Sequence, residues 1–203
     1  MAKQTINIGT VANDGTGDAL RDAFDKVNDN TTELYNVGGW GFYVDGETTT
    51  PTQVITTTTQ KLSIDGAGAT SESGYLPYEI RGISELWDTA NDKITPIGLG
   101  DSYDVRLDLE ITAKTGSPNV IDLVLDIGAT PDGTGGAGSI LIVNRIISTG
   151  KTAPYKVSVG FPIFSLGTFV SNGGSFWLST DAGTVTIGSR GIFIKRDTSG
   201  QIW

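Results

Sequence analysis

The sequence has 203 residues and a formal net charge of −9, and it contains neither His nor Cys. Their absence excludes thiolate catalysis, disulfides, Cys-based zinc sites and a His general base. An acidic chain repels phosphate backbones, so the charge disfavours nucleic acid as a ligand. No apolar run reaches the length of a membrane span, and the first residues lack the pattern of a signal peptide.

The first predicted element is an amphipathic helix from about Asp18 to Asn36. Turn-forming residues precede it, and Asp18 is predicted to cap its N-terminus. Spacings of four and three residues give a heptad seam, which consists of Leu20, Phe24, Val27, Thr31 and Leu34. A helix this short is marginal alone in water, so the seam needs a partner, either its own domain or other copies of itself. So few heptads do not fix the number of copies.

After residue 38 the hydrophobic spacing changes from helical to alternating, which predicts strands. The clearest segments are 104–112, 120–127, 139–148 and 155–163, and shorter strands are predicted at 41–44, 53–64, 85–88, 167–170, 176–179, 184–187 and 191–195. Gly-rich turns separate them, and Gly is about twice as frequent as usual. A mainly β fold is therefore predicted, with an antiparallel β-sandwich or jelly roll over residues 38–203 behind an arm and helix over residues 1–37.

The strands at 120–127 and 140–147 are apolar on part of their second face as well. An apolar surface outside the core usually meets another subunit. The alternative is that a loop of the same chain covers it. The sequence leaves both alternatives open.

The carboxylates along the strands do not form a convincing catalytic pair. Asp104, Asp108 and Glu110 lie on one face of a predicted strand. Asp122 and Asp126 lie on one face of another. Paired carboxylates can hydrolyse glycosides. These carboxylates lie on the polar side of alternating strands, where they are predicted to be exposed to solvent. No nucleotide-binding or nucleophile motif accompanies them. We predict no enzyme activity, no cofactor and no metal site.

Exposed aromatic side chains could stack on sugars. The candidates are Trp40, Tyr75, Tyr78, Trp87, Trp177 and Trp203, and of these Trp87 and Trp177 are the two predicted glycan contacts. The alternative for each is a place in the core or in an interface. Deciding between these requires the position of each indole ring in the fold.

One stretch has a specific family resemblance. Residues 6–35 contain Asn7-Ile8-Gly9, then Asp14-Gly15-Thr16-Gly17-Asp18, and then a helix with Leu20-Arg21, Ala23-Phe24, Lys26, Asn28, Asn30 and Glu33-Leu34-Tyr35. This order resembles the N-terminal module of tailed-bacteriophage virion proteins, including baseplate wedge and tail-fibre-like proteins. Thr31 stands where that family usually has Phe.

The resemblance implies a homotrimer that is attached to a virion through its N-terminus. The seam would then close a threefold axis, and the arm would carry the virion anchor, which comprises Ile6, Ile8, Val11, Asp14 and Asp18. The implied partners are the chain itself and other proteins of the tail, baseplate or capsid. The implied location is the virion, assembled in the host cytoplasm.

The C-terminal half resembles small trimeric jelly rolls of phage fibres and capsid decorations, of the tumour-necrosis-factor and C1q type. The resemblance lies in residues 161–164, 169–174 and 190–195. It implies a non-enzymatic structural protein, either a tail or baseplate fibre or a head fibre or decoration. A receptor- or glycan-binding tip in host attachment is the alternative. A polysaccharide-degrading enzyme is the third hypothesis, and the absence of a convincing pair of acid and base residues disfavours it.

Overall fold

A computed structural model describes residues 4–11, 15–35, 38–46, 52–76, 85–135 and 140–198. In chain order the elements are α1 (Leu20–Tyr35), β1 (Gly39–Val44), β2 (Gln53–Ile55), β3 (Gln60–Lys61), β4 (Trp87–Asp88), β5 (Lys93–Ile94), β6 (Ser102–Thr115), β7 (Val120–Ile127), β8 (Ile140–Ile147), β9 (Tyr155–Phe164), α2 (Gly167–Asn172), β10 (Ser175–Thr180) and β11 (Thr184–Thr198). The division into an arm and helix over residues 1–37 and a β-body over residues 38–203 stays a prediction.

The body is a sandwich of two antiparallel sheets. The first sheet has the order β1-β11-β6-β9, with β2 also paired to β11, and the second has the order β3-β10-β7-β8. The chain crosses between the sheets at β2–β3, β6–β7, β8–β9, β9–β10 and β10–β11, and this order is that of a jelly roll. The predicted fold class is confirmed. The short hairpin β4–β5 forms a separate two-stranded sheet, and Ile94 joins it to Gly174, next to β10, through an isolated bridge.

Alternation along the long strands builds the core between the sheets. On β6 the side chains of Tyr103, Val105, Leu107, Leu109 and Ile111 are buried, whereas their neighbours face outward. The inward residues of β7, β10 and β11 meet them from the facing and adjoining strands. Burial of each such side chain contributes about 1.5–3 kcal/mol.

The two ends of the sandwich differ in what they carry. One end is here called the helix end, because the chain enters β1 there, at Gly39, after α1. Two strand pairs mark this end: Gly39 pairs with Arg196, and Ser102 pairs with Phe164. At the opposite end, here called the far end, β6 finishes at Thr115 and β8 finishes at Ile147. The loops β6–β7 and β8–β9 therefore lie at the end away from the helix.

Two ion pairs are buried in the body. Arg196 holds Asp101 through two bonds, from Nε to Oδ2 at 3.1 Å and from Nη2 to Oδ1 at 3.0 Å. Arg190 Nη2 lies 2.6 Å from Asp45 Oδ2. All four side chains are at most 4% exposed, so neither pair is a surface contact.

Several predicted strand boundaries are wrong, each for a local reason. Residues 167–170 form the start of α2, because Phe169 turns into the core and Gly173, at φ 76°, ends the helix with its N–H on Phe169 O. The predicted strand 53–64 is split into β2 and β3. The segments 184–187 and 191–195 are one strand, interrupted by a bulge at Gly188–Ser189.

Candidate assembly surface

The arm before α1 runs antiparallel to the helix and is tied to it by polar contacts. Gln4 and Asn30 exchange two hydrogen bonds, from Gln4 N to Asn30 Oδ1 and from Asn30 Nδ2 to Gln4 O, each at 2.9 Å. Gln4 Nε2 also donates to Asp29 Oδ2 at 2.7 Å. The side chain of Asn30 thereby satisfies both backbone groups of Gln4, much as a neighbouring strand would.

A second set of contacts joins the arm to the start of the helix. The Asp18 carboxylate accepts from Lys26 Nζ at 2.6 Å and from Asn7 N at 2.8 Å, and Asp18 N donates to Asn7 O at 2.8 Å. Lys26 Nζ also reaches Thr5 O at 3.3 Å. We call the contacts of Asp18, Lys26 and Asn30 with the arm the clasp. The hydrogen bond from Lys26, followed by that from Asn7, holds the pKa of Asp18 below its ordinary value of 3.8.

The prediction that Asp18 caps the helix is wrong. The helix begins at Leu20, two residues later, and its first turn is closed by Ala23 N on Ala19 O. The contacts of the Asp18 carboxylate go to the arm and to Lys26 instead. A hint was available in the sequence, because Asn7, Asp18, Lys26 and Asn30 all belong to the pattern that resembles the phage module yet lie off the seam.

With the clasp on one face of α1, the seam lies on another. Leu20, Phe24 and Val27 are 74%, 58% and 41% exposed, so the first three seam residues form an apolar stripe open to solvent. Thr31 is exposed too, and its hydroxyl donates to Val27 O at 2.8 Å. That bond satisfies the polar atom of Thr31 within its own helix. Leu34 lies in the last turn of α1, and its side chain is outside the described residues.

The predicted virion-anchor residues divide into three groups. Ile8 and Val11 are 90% and 68% exposed, near the turn between the arm and the helix, and Ile6 is half-buried. Asp18 belongs to the clasp. Asp14 lies outside the described residues. Ile8 and Val11 therefore offer an apolar surface at the end of α1 that points away from the β-body along the chain.

The clasp gives a testable prediction. Lys26→Met is expected to free the arm, because it removes the bonds to Asp18 and Thr5 while keeping the length of the side chain. Amide hydrogen exchange at Asn7 and Asp18 should accelerate at least tenfold, and exchange within the β-body should not change. Arg21→Met, an exposed change on the same helix, is the control and should leave the arm protected.

The same contacts predict a dependence on pH. The pKa of Asp18 is lowered in the folded protein. The contribution of its carboxylate to the clasp is therefore complete above about pH 4, and it is lost as the pH falls through the pKa of the folded state. The arm amides of the native protein should therefore lose protection on acidification below pH 4. Unchanged protection in that range would contradict the role of Asp18.

The proposed glycan contact at Trp87 is wrong. Its side chain is fully buried, its Nε1 donates to Ile64 O at 2.8 Å, and its ring stacks on Phe176 in the core. A ring in that position cannot reach a sugar. Trp177 is half-buried on the outer side of the second sheet, and its contact with glycans stays a prediction.

A loop covers part of the second face of β7. Asp126 is fully buried, and its Oδ2 accepts from Asp132 N at 3.0 Å and Gly133 N at 2.9 Å. Gly133 has a φ of 74° and lies so close to Trp177 that a Cβ would approach the indole to 2.6 Å. The loop alternative therefore holds for this part of β7, and Asp126 does not lie on a solvated face as predicted. Asp122 is half-exposed and pairs with Arg145.

The carboxylates of β6 behave as predicted for a solvated face. Asp104 is exposed, and Asp108 pairs with Arg106 at 3.0 Å and accepts from Ser158 at 2.6 Å. No cluster of carboxylates suited to a metal ion occurs among the described residues. In that same part of the chain, no helix is long and apolar enough to cross a membrane.

The sequence did not single out one exposed aromatic pair. Trp40 on β1 stacks on Tyr75 with ring centroids 5.0 Å apart, and Tyr75 is 62% exposed. Phe193 lies 5.7 Å from Trp40, and the guanidinium of Arg106 lies over the Phe193 ring at 5.4 Å. Pairing of β1 with β11 and of β11 with β6 brings these side chains together on the outer side of the first sheet.

The chain thus combines an arm-clasped helix that carries an exposed apolar stripe with a jelly-roll body. The chain belongs to the family described as Bacteriophage T4 gp9/10-like protein, N-terminal, whose model matches residues 3–148. That match includes the arm, α1 and the body as far as the end of β8. The protein is accordingly a structural protein of a bacteriophage virion.

Two solved structures are similar to the chain at low identity. One is the PRD1 vertex protein P5, with a TM-score of 0.43, 12% identity and coverage of 81% of this chain and 98% of that chain. The other is the Eiger TNF from S. frugiperda, with a TM-score of 0.41, 11% identity and coverage of 82% and 95%. No curated protein matches the sequence. At this distance, neither similarity carries information about function.

Proposed function

We propose that the protein is a homotrimeric, non-enzymatic fibre-like component of the virion, anchored to the particle through its N-terminal segment. The observation that carries the proposal is the apolar stripe of Leu20, Phe24 and Val27, which stays exposed although α1 already binds its own arm. A second copy of the same stripe is the simplest apolar partner. The heptad spacing allows two or more copies, and the resemblance to trimeric phage modules favours three.

In this proposal residues 1–37 form the assembly unit and residues 38–203 form the projecting body. The seam joins the three chains through Leu20, Phe24, Val27, Thr31 and Leu34. The turn that carries Ile8 and Val11 contacts another protein of the tail, baseplate or capsid, because it presents the most exposed apolar side chains of the arm. Assembly takes place in the host cytoplasm, and the mature location is the particle.

The proposal predicts an anchor that can be removed without loss of the body. A chain lacking residues 1–17 should retain the folded β-body, because the two sheets are formed entirely by residues after Gly38. Its incorporation into particles should fall to background. Incorporation is measured by immunoblotting of purified particles, and circular dichroism checks that the body is folded.

The double change Ile8→Ser and Val11→Ser is the finer variant, because it keeps the clasp and removes only the exposed apolar side chains. It should reduce incorporation by at least tenfold. Normal incorporation of both variants would show that the anchor lies elsewhere in the chain.

A host-attachment role is the alternative function. In this case the body binds a receptor or a glycan, and the N-terminal unit serves only to hold it on the particle. One surface at the far end of the sandwich, between the loops β6–β7 and β8–β9, favours a specific version of this role.

A further inference from the structure

A cleft lies at the far end of the sandwich, apart from the assembly surface. It has a volume of about 610 Å³ and lies between the loops β6–β7 and β8–β9. That volume falls within the range of roughly 300–1,000 Å³ that ligand sites occupy. These loops lie opposite the helix end, where the chain enters β1.

The lining of the cleft has an unusual charge for this chain. Two lysines, Lys114 and Lys151, line it without any Asp or Glu, although the sequence has 23 acidic and 14 basic residues. The other polar side chains of the lining are hydroxyls and one amide, from Thr112, Ser117, Asn119, Thr149 and Thr152. The cleft therefore offers positive charge together with several groups that both donate and accept hydrogen bonds.

The loops that form the cleft are held in place by bonds on their outer sides. Asp181 Oδ1 accepts from Asn119 N at 2.9 Å and from Val120 N at 3.0 Å. Asn119 O accepts from Ser148 N at 2.7 Å and from Thr149 N at 3.0 Å, which links the two loops directly. A site whose walls are fixed before binding loses less conformational entropy when a ligand enters.

The two lysines are also positioned by contacts of their own. Lys114 Nζ donates to Ser148 O at 2.6 Å and to Lys151 O at 3.1 Å, which uses two of its three N–H groups. Lys151 Nζ lies over the Tyr155 ring, 5.1 Å from its centroid. The positive charges of the cleft are thus held against its β8–β9 side instead of extending freely into solvent.

We propose that this cleft binds an anionic saccharide of the host surface, with a carboxylated sugar on the lysines and its hydroxyls on the Ser, Thr and Asn side chains. The location rests on the proposed function, since only a protein anchored through α1 presents its far end to a cell. Saccharides suit the lining because their hydroxyls exchange hydrogen bonds with groups of the same kind. The carboxylate accounts for the pair of cations, which a neutral sugar would leave unused.

The test measures binding of trigalacturonate to the full-length protein by isothermal titration calorimetry, with maltotriose and inorganic phosphate as comparison ligands. Trigalacturonate should bind at least tenfold more tightly than either. Lys151→Glu should weaken the binding of trigalacturonate at least tenfold relative to the native protein. Thr152→Tyr, which fills the cleft without changing its charge, should weaken it to the same extent. Lys156→Glu is the matched control on the outer side of β9, and its affinity should stay within twofold.

Three results would overturn the proposal. They are no difference between trigalacturonate and maltotriose, equal binding of phosphate, and equal loss of affinity in Lys151→Glu and Lys156→Glu. Sedimentation equilibrium of the same samples separates this proposal from the proposed function. An intact trimer that does not bind the saccharide contradicts the cleft alone, whereas a monomer contradicts the trimer.

Discussion

Replacing Arg196 by Met is expected to lower the free energy of unfolding by about 3–5 kcal/mol. The guanidinium is 3% exposed and makes both bonds to the Asp101 carboxylate, which is itself 2% exposed. Removing it leaves a buried carboxylate that still accepts from the Tyr103 hydroxyl at 3.0 Å but no longer has the charge of Arg196 beside it. Burial raises the pKa of Tyr103, so that hydroxyl stays protonated at neutral pH but carries no compensating charge.

Urea denaturation at fixed protein concentration measures this effect. Lys195→Met is the matched control, since Lys195 precedes Arg196 on β11 but is half-exposed and pairs with Asp197 at the surface. It should change stability by less than about 1 kcal/mol. The double variant Asp101→Asn and Arg196→Met should recover part of the loss, because it removes both charges. Equal effects of Arg196→Met and Lys195→Met would contradict the importance of burial.

Phe24→Lys is expected to convert the proposed trimer to a monomer at micromolar concentration. Phe24 is the central exposed residue of the seam, and its burial in three chains would contribute roughly 4.5–9 kcal/mol to the trimer. A lysine at that position adds three like charges around the axis. Sedimentation equilibrium should give about three times 21.3 kDa for the native chain and about 21.3 kDa for the variant.

Asp25→Lys is the matched control for this change. It introduces the same side chain one residue along, at an exposed position off the seam, and it should leave the trimer intact. Hydrogen exchange in the β-body should be the same for both variants, because the seam lies outside the two sheets. A native chain that sediments as a monomer, or a trimer that survives Phe24→Lys, would contradict the seam.

Much of the body could be predicted because alternation with a period of two is a strong signal. It located β6, β7 and β9 to within a few residues, and their number predicted the sandwich. Alternation could not reveal α2, because one buried Phe169 determines that short helix. It also could not reveal that β11 is continuous, because a bulge interrupts its pairing with β6.

The assembly surface was predictable in part. Heptad spacing located the stripe on α1, which depends only on residues close in sequence. The clasp was missed because it joins residues up to 26 positions apart, such as Gln4 and Asn30, and no local pattern marks such a contact. Trp87 was misassigned for a similar reason, since its place in the core depends on a contact with Ile64 O. Residue spacing thus failed mainly to predict polar contacts between residues that are far apart in the sequence.

The antiparallel course of the arm has a practical consequence for labelling the protein. Because Gln4 lies beside Asn30, the start of the described arm returns toward the C-terminal half of α1, and the turn between arm and helix occupies the other end. An affinity tag joined to the start of the arm would therefore lie on the side of the C-terminal half of α1. An insertion beside Ile8 would instead lie near the start of α1. The two fusions thus report on different ends of the same helix.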